Sequence, residues 1–303
     1  MINKIKNKSW QLGFDLFAVT KPSLVKNFSK YQEWLENGYQ ADMRWMEKNL
    51  EKKADTGRIL PNCQSIVVLG VSYFNRNFTA EQKDDLKNAL IARYAWGDDY
   101  HIVLKKKLIE LGNYINNLSN HDYVFCGFTD TGPVLERELA SQAGLGWIGK
   151  NGNLINYQIG SYFLIASLFT EARIENYRPK NIGGCGSCQK CLLACPTKAL
   201  VKEKTVDARK CIAYHTIENR GDIPATIKEK MGNRIFGCDI CQEVCPWNRF
   251  AKKTRMPELE IMNNRDCLTK SDILKMTQEE YQQCFRNSAV KRAKWEGMQR
   301  NTK

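Results

Sequence analysis

Eight of the twelve cysteines in this chain fall into one pattern. Cys185, Cys188, Cys191 and Cys195 follow the spacing C-x2-C-x2-C-x3-C, and Pro196 comes next. Cys238, Cys241 and Cys245 repeat that spacing without its middle cysteine, again followed by a proline, Pro246. Cys211 lies between the runs and can supply the missing thiolate. Thiolates this dense suit iron–sulfur clusters, and the cysteine before proline serves the neighbouring cluster. Cys185, Cys188, Cys191 and Cys245 are therefore expected to hold one 4Fe–4S cluster. Cys195, Cys211, Cys238 and Cys241 are expected to hold a second. Zinc sites use separated ligand pairs, often with histidine, so the spacing argues against zinc.

Outside the cysteines, Asp130 falls between a strand end and a helix start, where α/β domains place their sites. Two roles stay open for it: cap of a helix beginning at Pro133, or an acid. Arg137 is either a solvated helix residue or an anion clamp. The turn from Gly144 to Asn151 carries the glycines of a dinucleotide fingerprint and nearly those of a phosphate loop. Both motifs need a strand before and a helix after, and the order here is reversed. A tight turn, or close backbone approach to another large ligand, remains. Asp99 and His101 resemble the start of a D-x-H-x-x-G cobalamin motif, but position 104 is Leu, so His101 is not expected to ligate cobalt. His121 and His215 are expected at the surface. Cys63, Cys126, Cys267 and Cys284 share no ligand spacing and are expected to be small buried hydrophobes.

The elements that must position these groups read as follows. Residues 5–12 look helical and 14–20 look like a strand. Residues 28–50 are helical, broken at Gly38. The run from Ser65 to Phe74 predicts a strand buried on both faces. Residues 80–94 are expected to be helical. Leu104, Leu108, Leu111, Ile115 and Leu118 place one apolar face on a helix over about 100–118. Strands are expected at 123–128, 153–157 and 162–170, with a helix from Pro133 to near Gly144. Strands alternating with helices argue a mixed α/β (α+β) domain over 1–180. Residues 178–184 read as a linker, and 271–298 as helical and basic.

The 303 residues carry 46 Lys and Arg against 33 Asp and Glu, a net charge of +13. An excess this large points to a polyanionic partner, nucleic acid foremost. The mean hydropathy is −0.50, and no apolar run is long enough to span a bilayer. The first residues lack the apolar stretch of a signal peptide, and cluster cysteines suit a reducing cytosol.

Together these pieces resemble the epoxyqueuosine reductase family, enzymes of queuosine synthesis in bacterial transfer RNA. The resemblance covers nearly the whole chain. It rests on the runs Arg93 to His101, Asp130 to Arg137 and Gly144 to Asn151, the eight cysteines, Cys245 to Asn248, Asn287 to Arg292, and Arg300 with Asn301. It implies a nitroreductase-like, cobalamin-binding α/β domain over 1–180. A ferredoxin-like domain with two 4Fe–4S clusters follows over 181–250, then a basic helical segment over 251–303. Cobalamin would sit base-off between the first two, against Tyr94, Gly146, Trp147, Gly149, Lys150 and Asn151. Asp130 matches the family's catalytic proton donor, and Asp99, His101 and Arg137 match positions near substrate.

The implied partners are a transfer RNA with a GUN anticodon and an external electron donor such as flavodoxin or ferredoxin. The implied protein is a cytoplasmic monomer that does not use a membrane. Many members carry a further C-terminal helical-repeat region, and this sequence stops at Lys303, so part of the RNA-binding surface is expected to be reduced or absent. In the implied chemistry cobalt(I) attacks an epoxide carbon while Asp130 protonates the leaving oxygen. Asp130 must then be neutral with substrate bound, and burial beside a corrin is expected to raise its pKa. Two other readings share parts of this pattern. A reductive dehalogenase would use the same cofactors but an apolar pocket and no positive excess. A ferredoxin-like electron carrier would leave some 180 upstream residues idle.

Overall fold

The β-branched run Ser65–Ser72 is a strand buried at every position. It is the second strand, β2, of a four-stranded sheet that also contains β1 (Leu16–Thr20), β3 (Phe125–Phe128) and β4 (Phe163–Thr170). The spatial order is β1-β2-β4-β3, and every neighbouring pair is antiparallel. The expected mixture of helix and strand is present in this computed structural model, which describes residues 1–303. Alternation of strands and helices therefore does not come from parallel crossovers here.

The two faces of β2 explain its uninterrupted apolar sequence. Val67, Leu69 and Val71 face a large core with Leu104, Leu108, Leu111 and Ile115 of the helix Tyr100–Ser119. Ile66 and Val68 face a smaller core with Leu139 and Ala140 of the helix Glu136–Gln142. Strand side chains alternate faces, so a strand covered on both sides needs no polar positions. The large core also takes Ile273, Tyr281, Phe285, Val290 and Met298, so the C-terminal segment packs into the body. It does so as separate helices, Lys270–Lys275, Gln278–Cys284 and Lys294–Thr302, with a 3-10 turn at Ala289–Ala293.

Several local expectations are corrected. The helix expected over 80–94 ends at Asp84. Leu90 and Ile91 pair in parallel with Arg234–Phe236, more than 140 residues away, and Arg93–Ala95 is a 3-10 turn. Tertiary pairing overrides local propensity there. Only Leu154–Ile155 of 153–157 is strand, paired with Trp147–Ile148. Pro133 does not open a helix, which begins at Glu136. His215 is 4% exposed rather than at the surface, held by the Arg209 carbonyl and Asn219. Cys267 is exposed. No helix is long and apolar enough to cross a membrane.

Arg93 joins the sheet body to the cysteine segment. It is 1% exposed, and its Nη1 donates to Asp239 at 2.8 Å and Glu243 at 3.0 Å. Its backbone N–H also reaches Asp239 at 2.9 Å, and its Nε reaches the Arg76 carbonyl at 3.1 Å. The guanidinium lies 4.5 Å from the Phe78 ring centre and 5.2 Å from that of Tyr162. Removing one member of a buried pair leaves the other charge uncompensated, at a cost of about 3–5 kcal/mol. Arg93→Ala is expected to lose stability on that scale in denaturant unfolding. An unfolding midpoint within error of the parent would show that Asp239 does not depend on Arg93.

Candidate active site and cysteine framework

Four of the eight pattern cysteines wall one cavity. Cys185, Cys188, Cys191 and Cys245 line it with Lys150 and Trp247. The other four group apart. Burial raises the thiols of Cys211, Cys238 and Cys241, and each is raised further by another member of the set: Cys195 acts on Cys211, and Cys211 acts on Cys238 and Cys241. Cys191 also acts on Cys241, so the two sets adjoin. All twelve cysteines are free.

No three His, Cys, Asp or Glu side chains converge tightly enough to hold one metal ion. Backbone N–H groups point at sulfur: Lys150 to Cys185 at 3.4 Å and Ala199 to Cys195 at 3.3 Å. Such bonds favour thiolate and tune a cluster's potential.

A second centre forms where the loop after β3 meets the start of the helix Tyr100–Ser119. Thr129 anchors the loop by donating its hydroxyl to the Ile165 carbonyl at 2.9 Å. Asp130 then takes left-handed backbone, φ 59°, which Asp tolerates better than most residues. Its N–H donates to Glu136 Oε1 at 2.8 Å. Its carboxylate accepts from the Tyr100 hydroxyl at 2.7 Å and faces His101 Nε2 at 3.5 Å. Asp130 does not cap the helix that follows, because residues 131–135 run on as loop. The capping aspartate is Asp99, which accepts the His101 N–H at 3.0 Å and the His101 Nδ1 at 2.7 Å.

His101 thus stands between two carboxylates. Burial opposes its charge, but Asp130 and Asp99 outweigh burial and push its pKa from 6.5 up to about 9. Burial would raise Asp130, yet hydrogen bonds from His101 and Tyr100, with the charges of His101 and Arg137, hold it below the usual carboxylate range. The neutral Asp130 expected with substrate is therefore not the resting state, in which the proton sits on His101. Asp130 keeps 67% of its side-chain surface open, so an incoming ligand would strip water from it.

Sequence reasoning missed two members of this centre. Burial keeps the Tyr100 hydroxyl protonated as a donor. Glu136 is pushed up to about 8 by burial and by Asp130, which makes it a neutral acid near pH 7. Nothing local marked either residue: Tyr100 read as the start of a helix, and Glu136 fell inside the helix expected from Pro133.

The other candidates divide between the two centres. Arg137 reaches back to the Gly152 carbonyl at 2.7 Å and lends charge to Asp130. Tyr94 is half-buried and packs against Tyr100 at 5.9 Å and Tyr73 at 6.5 Å, between ring centres. Tyr73 accepts a hydrogen bond from Gln242, the residue after Cys241, at 3.2 Å. A packed string of side chains therefore runs from the cysteines to Asp130. Lys150 and Asn151 lie on the cysteine side, where Asn151 donates to the Cys241 carbonyl at 3.3 Å. Gly146 is required locally, since a Cβ there would sit 2.2 Å from the Ile155 carbonyl oxygen; at Gly149 it would sit 2.4 Å from Ile155 Cδ1. Trp147 keeps a buried Nε1 without a partner.

The histidine has a pH signature. Its folded pKa is raised, so the stability from its charge is complete below about 6.5 and is lost as pH rises through about 9. Asp130→Asn is expected to move the His101 titration down, because the largest supporting contact loses its charge. Ring-labelled His101 followed by NMR reads this directly; a parent ring titrating near 6.5 would dismiss the ion pair.

Known proteins share this architecture. Residues 53–131 match the family model "Epoxyqueuosine reductase QueG, DUF1730". Residues 184–248 match a "4Fe-4S double cluster binding domain". The epoxyqueuosine reductase of Cyclobacterium marinum is 39% identical over 300 residues, covering 98% of this chain and 94% of that one. That of Pseudomonas aeruginosa is 35% identical, covering 99% and 83%. The solved epoxyqueuosine reductase from Streptococcus thermophilus superposes with a TM-score of 0.89 at 29% identity, covering 100% and 80%. Another, solved with a tRNA-Tyr epoxyqueuosine-modified stem loop, gives 0.89 at 28%, covering 99% and 79%. With identity of this level along nearly its whole length, and an iron–sulfur domain where its cysteines lie, this chain belongs to the epoxyqueuosine reductase family of oxidoreductases.

Proposed function

We propose that the chain reduces the epoxide of epoxyqueuosine in a GUN-anticodon transfer RNA to queuosine. The observation that carries this is the Asp130–His101–Tyr100 centre, a proton site open to solvent and linked by packed side chains to the cysteine framework. Reducing an epoxide to an alkene takes two electrons and two protons and releases water. The oxygen leaves as an alkoxide unless a positioned acid protonates it. His101 stores a proton beside Asp130, and substrate that displaces water favours the neutral carboxyl. Asp130 then hands the proton to the leaving oxygen, while Tyr100 and Glu136 hold its carboxylate and backbone in place.

Support for the loop comes from a relative. The Bacillus subtilis epoxyqueuosine reductase, 27% identical with a TM-score of 0.86, was solved with its catalytic aspartate loop swung out of the active site. Asp130 here likewise stands on a loop, in left-handed backbone. The bound stem loop of another relative, and the net charge of +13, support an RNA substrate over a small halogenated molecule.

The cofactors we propose are two 4Fe–4S clusters, wired as Cys185, Cys188, Cys191 and Cys245, and Cys195, Cys211, Cys238 and Cys241. Base-off cobalamin completes the set and supplies a strongly reducing, nucleophilic cobalt when bound. The free donor of Trp147 fits such a ligand, and Tyr94, Gly146, Gly149, Lys150 and Asn151 lie on the turn or string that would flank it. Residues 1–180 form the nitroreductase-like cobalamin part, 181–250 the ferredoxin-like part and 251–303 the helical segment. The protein works as a cytoplasmic monomer fed by an external electron donor.

Asp130→Asn tests the acid. Asparagine also tolerates left-handed backbone, so iron content should match the parent, while the melting temperature should fall modestly near neutral pH because His101 loses a charged partner. Single-turnover reduction of the modified RNA should slow by about a hundred- to ten-thousand-fold. A parent-like rate would pass the role to His101. Cys191→Ala tests the wiring: bound iron should fall from about eight to about four per chain. Zinc in the anaerobically purified parent would end the cluster assignment.

A further inference from the structure

The cysteine cavity opens beside an apolar patch of the surface. Leu193, between Cys191 and Cys195, is 70% exposed, Ile182 is 57% exposed and Phe250 is 39% exposed. Trp247 joins these segments. It lines the cavity, packs 6.1 Å from Phe250, and donates its Nε1 to the Gly184 carbonyl at 3.1 Å. Cations stand beside these groups: Lys190 lines the cavity, Lys198 donates to the Leu193 carbonyl at 3.2 Å, and Arg249 stacks 4.6 Å over Phe250. From Arg178 to Lys198 the chain carries four Lys or Arg and no Asp or Glu, and Pro246 to Met256 repeats that balance.

We propose that this patch docks a small acidic electron-carrier protein. The proposal rests on the iron–sulfur reading of the cysteines and names where its electrons enter. A donor must bring its redox centre close to the acceptor, and Lys190 and Trp247 of this surface line the cavity with Cys185, Cys188, Cys191 and Cys245. Exposed apolar side chains flanked by an excess of cations suit a transient protein partner of opposite charge. RNA would use the cations but gain nothing from an exposed leucine and isoleucine, since bases stack on aromatic faces. Each encounter oxidises the carrier by one electron, and two encounters deliver the two electrons that the epoxide consumes with two protons.

The test uses the reconstituted holoenzyme with flavodoxin as the acidic carrier. Flavodoxin affinity is measured at low and moderate salt for the parent, for Lys198→Glu combined with Arg249→Glu, for Leu193→Ser and for Arg249→Lys. Charge reversal should weaken binding by roughly tenfold or more and flatten its salt dependence. Leu193→Ser should weaken binding without changing the salt slope, and Arg249→Lys should bind like the parent. Dithionite-driven turnover, iron content and affinity for the modified stem loop should hold in every variant. Unchanged flavodoxin affinity in both the reversal and Leu193→Ser overturns the proposal. So does a fall in stem-loop affinity in its place, which would assign the patch to RNA. If charge reversal disturbs iron content, Leu193→Ser decides alone. A parent without iron would refute the cluster reading, while the affinities would still decide the docking surface.

Discussion

A guanidinium sealed from water is the constraint that sets the rest of this molecule. Arg93 keeps its charge in the interior only because Asp239 and Glu243 stand against it and aromatic faces surround it. Asp239 lies between Cys238 and Cys241, so the same ion pair fixes the second cysteine loop to the end of the Leu90–Ile91 strand. Buried pairs of this kind contribute little net stability over an apolar substitute, but a mispaired arrangement would strand a charge. The pair therefore acts on specificity: it permits one seating of the cysteine segment on the sheet body.

That seating aligns two kinds of chemistry. On one side the thiols gather in two adjoining sets among backbone N–H donors. On the other, a histidine between two carboxylates holds a proton at neutral pH. Tyr73, Tyr94 and Tyr100 pack ring to ring in the space between them, with Tyr73 and Tyr100 buried and Tyr94 half-buried. Asp130, by contrast, is open to solvent. Its open face is where an RNA-borne epoxide can reach it, and its anchors come from Tyr100 and Glu136 rather than from a helix terminus.

Charge is divided in the same way. The cysteine side carries exposed apolar side chains on segments rich in cations. The Asp130 side places carboxylates next to Arg137 and, from the C-terminal segment, Arg292, which is itself paired with Glu218 at 2.7 Å. One basic protein can thus offer two surfaces of different character to two anionic partners.

Read alone, the sequence determined the parts governed by short spacing. Cysteine spacing is local geometry, so the sets of thiols were legible, as were the sheet's central strand and the helix Tyr100–Ser119. The glycine turn was legible as a turn for the same reason. Tertiary structure decided what depends on distant partners. Residues 80–94 carry helical periodicity, yet Leu90 and Ile91 pair with Arg234–Phe236, whose pull no local window contains. Asp130 could be read as a helix cap because Pro133 looked like a helix start, whereas the helix begins at Glu136, whose side chain accepts the Asp130 N–H. The resting proton on His101 arises from three residues, Asp99, His101 and Asp130, brought together by a strand and a helix. A pKa depends on distance and solvent, and neither is written in the order of the residues.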